Sequence, residues 1–142
     1  MRLDLHYVQA AADIWYRSGS KVFGPPIDEY VVEVIASHFD KPDLCPESPA
    51  LRLLTTAVEA PEYMKFEVYR SLGEDCLLLA SICPDWKRKK HNLGAEYLDK
   101  VGMVSYSAAV NFAAGQQTKQ LFTAMTAEFV NVRTFLSSQL RP

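Results

Sequence analysis

The stretch from Glu62 to Ile82 leaves this chain few folds to choose from. It lies between Pro61 and Pro84, and proline is tolerated at a helix start but breaks or kinks a helix further on. Only Gly73 inside it weakens a helix, by about 1 kcal/mol. Met64, Phe66, Tyr69, Leu72, Cys76, Leu79 and Cys83 make up its inward positions. Around Leu77, Leu78 and Leu79 the apolar character goes all the way round. A helix apolar on every side is buried on several sides, so the pattern predicts a central helix with others packed about it.

The rest of the chain supplies those others. Leu3, Tyr7, Ala11, Ile14 and Trp15 share one side of a helix that Ser18-Gly19-Ser20 stops near Arg17. After the loop Gly24-Pro25-Pro26, a second helix runs to about Phe39, with Tyr30, Val31, Val34, Ile35 and His38 as its apolar side. Asp28 and Glu29 sit where the positive end of its dipole favours acids. Ser48 is placed to cap a helix from Pro49 to about Glu59, lined by Leu51, Leu54 and Val58. Beyond Pro84 come a basic turn or short helix, Trp86 to His91, and a reset at Asn92-Leu93-Gly94. A helix from Ala95 to Ala114 follows, then Gly115, then a last helix from Gln116 to about Leu140. No segment alternates as a strand does. The expectation is an all-α fold: one compact helical bundle of about six helices, one domain spanning 1–142, with Glu62–Ile82 and Ala95–Ala114 as two buried central helices.

Two helices carry more specific packing signals. Tyr97, Val101, Val104 and Ala108 fall on one face of the helix from Ala95, while Gly102, Tyr106, Ala109 and Ala113 fall on another. Two faces of small and apolar residues place this helix between close neighbours, with Gly73 and Gly102 where helices approach most tightly. In the last helix, Phe122, Met125, Phe129, Val132 and Leu136 recur at steps of three and four, a packing seam. Val130 and Phe135 lie off that seam, and the surplus predicts a homodimer whose contact includes this helix.

Composition narrows the function classes. A net charge of −2 gives no basic excess to neutralise phosphates, so no nucleic acid is expected. The longest apolar run, Cys76 to Cys83, falls far short of the roughly 20 residues a membrane helix needs. The start, Met1-Arg2-Leu3-Asp4, has no signal-peptide pattern. Cys45, Cys76 and Cys83 are odd in number and form no C-x-x-C pair, which reads as reduced thiols in a cytoplasmic protein.

Few residues offer chemistry. Glu74 and Asp75 sit inside the most apolar helix. One reading makes a raised-pKa carboxylate in a polar pocket with Tyr97 or Tyr106. The other, favoured, has one carboxylate facing solvent and its neighbour paired with a basic or tyrosine partner. Tyr97 and Tyr106 are nine residues apart and point to opposite helix faces, so they do not both reach one site. Lys87, Arg88, Lys89 and Lys90 form the only charge run, read as a solvated corner in preference to a binding surface. His6, His38 and His91 are scattered without metal-ligand spacing, and no nucleophile or phosphate-loop motif occurs, so neither metal nor cofactor is expected.

The run Leu72-Gly73-Glu74, then Pro84-Asp85, Glu96-Tyr97, Gly102 and Ser105-Tyr106 resembles a bacterial all-α family that has no assigned function. The likeness covers mainly Glu62 to Tyr106, with a weaker echo from Tyr30 to Phe39. It departs from the family pattern at Glu74 (aspartate), Val101 (methionine) and Ser105 (alanine). The resemblance implies a helical fold and a bacterial source, and no reaction. Two functions stay open: a non-catalytic interaction or adaptor protein, and a small-molecule binder or enzyme using a pocket near Glu74, Asp75 and one of the tyrosines.

Overall fold

The computed structural model describes residues 5–17, 23–40, 52–82 and 95–140. Five α-helices and one π-helical turn follow in order: α1 Leu5–Trp15, α2 Pro25–Asp40, the π-turn Leu53–Ala57, α3 Glu62–Ile82, α4 Ala95–Phe112 and α5 Gln116–Leu140. No strand occurs among the described residues. Cys45, Ser48, Cys83, Pro84 and the basic run Lys87 to Lys90 lie outside them.

The central pair is as the sequence predicts. The most extensive packing is between α3 and α4 and then between α4 and α5, while α1 and α2 pack on each other and on α5. Leu72, Cys76, Leu77, Leu78 and Leu79 are all buried, so α3 is covered on several sides. The seam of α5 is buried along its whole length, from Phe122 to Leu136. Gly115 takes a positive φ of 86°, which lets the chain reverse between α4 and α5.

Both glycines singled out by their setting are close-approach points. A Cβ on Gly73 would stand 2.8 Å from the Tyr106 ring. One on Gly102 would overlap the Phe129 ring and stand 3.2 Å from the Cys76 Cβ. The two glycines thus seat an aromatic from α4 against α3 and one from α5 against α4. Cys76 is a buried free thiol, and burial pushes its pKa up, as suits an inert apolar filler.

Several faces differ from the sequence expectation. Leu54 and Val58 were expected inside, yet they are 71% and 59% exposed, while Ala57 is buried. The side bearing Leu53 and Ala57 faces the core instead, which leaves Leu54 and Val58, one position further round, pointing out. Met64 is exposed because it lies in the first turn of α3, ahead of the span that α4 covers. Val104 on α4 is exposed as well, so the face with Gly102, Tyr106 and Ala109 is the core face of that helix. Phe135, expected off the seam, packs edge-on to Trp15 at 4.9 Å and against Phe23 at 6.1 Å. It docks α1 on α5 and is half-buried there. Val130 remains exposed.

Candidate functional site

Where α2, α3 and α4 meet, two buried tyrosines join a partly buried glutamate. Tyr30 stands on the inward side of α2, so its ring packs at 5.2 Å from Phe122 and its hydroxyl reaches α3. There it donates to Glu74 Oε2 at 2.7 Å. Tyr106 lies fully buried on α4 with its hydroxyl 3.0 Å from that of Tyr30. Tyr30 has a single hydroxyl proton, committed to Glu74, so Tyr106 is the donor of that second bond. Arg70, one turn before Glu74 on α3, donates to the same Oε2 at 2.6 Å and also pairs with Glu67.

Burial drives the acid–base character of the group. It raises the Glu74 carboxyl above its ordinary value, and Arg70 and Tyr30 only partly offset it. Burial also lifts both tyrosine hydroxyls well above theirs, so they remain donors at physiological pH. The result is a hydroxyl chain, Tyr106 to Tyr30 to Glu74, closed by a guanidinium. Its evident effect is to tie three helices at one point, since buried polar groups are worth most when fully partnered.

Of the candidate residues, the structure joins Glu74 to Tyr106, through Tyr30. Asp75 turns instead to Arg52 beside the π-turn, Nη1 to Oδ2 at 2.6 Å. The favoured reading gave one carboxylate a partner; both have one. Tyr97 is half-buried half a turn round α4 and packs on the core. Lys87, Arg88, Lys89 and Lys90 lie outside the described residues. Sequence reasoning missed Tyr30 and Arg70. Arg70 was detectable as the i−4 neighbour of Glu74. Tyr30 was read as apolar, because periodicity registers its ring and not its hydroxyl.

A surface cleft of about 730 Å³ opens between α2 and α5. Tyr30 lines it, whereas Glu74, Asp75, Tyr97 and Tyr106 do not. No group of three or more potential metal ligands is present among the described residues, and none of their helices is long and apolar enough to cross a membrane. No protein family, curated protein or solved structure matches the chain.

The raised Glu74 pKa makes a signed prediction. The folded state holds this proton to higher pH than the unfolded chain does, so stability from this group falls as pH rises through the window above about 4.3. Urea unfolding of wild type and Glu74→Gln between pH 4 and 7 is expected to show wild type gaining on the variant as pH falls. A difference constant with pH would show that Arg70 and Tyr30 cancel burial, and one of opposite slope that they outweigh it; either would overturn the expectation.

Proposed function

We propose that the chain is a non-catalytic interaction protein, bacterial and cytoplasmic, that works as a homodimer through the outward face shared by α4 and α5. The source rests on the resemblance between Leu72 and Tyr106, and the compartment on the odd cysteine count.

The chemistry of that face carries the reading. Val104 on α4 and Thr123, Ala127, Val130 and Thr134 on α5 are exposed and hold no charge between them. Between the helices runs a shallow groove of about 420 Å³, lined by Met103, Val104, Ser107, Ala108, Asn111 and Thr126. The hydroxyls of Thr123 and Thr126 donate to carbonyls one turn back, Lys119 and Phe122, at 2.7 and 2.8 Å. Thr134 does the same to Val130 at 2.8 Å. Covering this face therefore strands no donor of these three threonines, which lowers the cost of burying them.

Exposed Lys100 and Lys119 stand one turn before Val104 and Thr123, and the uncharged stretch beyond them lies on its own copy about a two-fold axis without bringing like charges together. Helices of 18 and 25 residues are about 27 and 37 Å long. Side by side they offer an area on the order of the ~800 Å² per partner that stable dimers bury. The other exposed apolar group, Leu54, Val58, Tyr63 and Met64, is interleaved with exposed Glu59 and Glu62, so self-apposition there would set carboxylates against each other.

The test is a pair of variants compared by analytical ultracentrifugation. Val104→Glu with Val130→Glu is expected to weaken association by roughly 100-fold, because four carboxylates then meet in one contact. Leu54→Glu is expected to leave it unchanged. Association that survives the double variant and is lost in Leu54→Glu would place the contact at the π-turn and refute the reading.

A further inference from the structure

We infer that the cleft between α2 and α5 binds a small organic cation with an apolar body, such as an aryl- or alkylammonium. At about 730 Å³ it falls within the range of small-molecule sites. Its lining is mostly carbon, from Phe23, Pro25, Pro26 and Ile27 on one side and Leu121 and Ala124 on the other. Phe23 and Tyr30 both contribute to the lining, and aromatic rings attract cations.

Charge selects the ligand class. Glu29 and Glu33 also line the cleft, one turn apart on α2, and both are exposed. Among the described residues they carry the only charges in the lining, where the remaining polar groups are Gln117, Thr118 and Gln120. Neither glutamate forms an ion pair with a basic side chain among the described residues. An anionic ligand would meet two carboxylates and no cation among the described lining residues. A bare metal ion would leave the apolar walls unused. An ammonium on a hydrophobic body matches both features at once. The site is framed by prolines that start α2 and by a tyrosine pinned through its hydroxyl to Glu74, so its α2 wall is preorganised.

This site uses the flank of α5 bearing Leu121 and Ala124, away from Val130, so it stands or falls independently of the dimer. Isothermal titration with 2-phenylethylammonium and with 2-phenylethanol compares two probes of similar size and different charge. The cation is expected to bind saturably and about tenfold more tightly than the alcohol. In Glu29→Gln with Glu33→Gln, two exposed changes that leave the core untouched, that advantage is expected to vanish. Equal affinity of the two probes, absence of saturable binding by the cation, or an advantage that persists in the double variant would overturn the proposal.

Discussion

Gly102→Leu is expected to cost the fold more than about 3 kcal/mol, at the upper end for an overpacked core, and to lower the melting temperature by roughly 10 °C. The expectation follows from what surrounds the missing side chain. The Phe129 ring already occupies the position of a Cβ at residue 102, and the Cys76 Cβ closes the other side. Phe129 is fully buried and backed by the Tyr106 ring at 5.9 Å, so it has nowhere to retreat. Gly102→Ala sharpens the test. On an open helix face that change would stabilise by about 1 kcal/mol; here it is expected to destabilise. A Gly102→Ala protein that melts above wild type would mean that α4 and α5 are not in contact at this point.

The second large effect is expected at the ion pair between α4 and α5. Arg133 reaches Asp99 with two bonds, Nε to Oδ1 at 3.0 Å and Nη2 to Oδ2 at 2.7 Å. Asp99 is 6% exposed, so its carboxylate depends on that fork. Arg133→Met keeps the aliphatic stem and removes the charge, leaving a buried carboxylate with its partner gone. A loss of about 3 kcal/mol is expected. Adding Asp99→Leu is expected to recover most of it, because an apolar pair avoids the desolvation of both charges. If the two changes add instead, Asp99 is solvated without Arg133, and the pair does not hold α4 to α5.

How much of this was legible in the sequence depends on what periodicity can register. The seam of α5 and the buried body of α3 were legible because their apolar residues repeat with the helical period over several turns. Gly73 and Gly102 stood out because glycine inside a helix otherwise only costs stability. The covered side of the Leu53–Ala57 turn was not legible: Leu53 and Ala57 are spaced just as Leu54 and Val58 are, and only the fold decides which pair faces the core. Phe135 left the seam for a reason no local pattern holds, the crossing of α1 with Trp15 at that height.

The polar cluster divides in the same way. Glu74 was conspicuous as a charge in an apolar helix, and Arg70 was readable one turn before it. Tyr30 is 44 positions away in sequence and joins them only through the fold. Asp28 makes the same point. Its sequence position suggested only an acid favoured by the dipole of α2; it is also fully buried, with Oδ1 accepting from Trp15 Nε1 at 3.0 Å. Its Oδ2 has no partner among the described residues. A dipole argument locates an acid along a helix but does not say which side of the helix is covered.

The central claim is that the outward face of α4 and α5, uncharged beyond Lys100 and Lys119, is covered by a second copy. Sedimentation velocity on the wild-type chain between about 1 and 100 µM measures this directly, over the range in which associations of micromolar strength populate both states. A species of twice the 16.0 kDa chain mass, growing with concentration, is the predicted result. A single 16.0 kDa species across the whole range would contradict it.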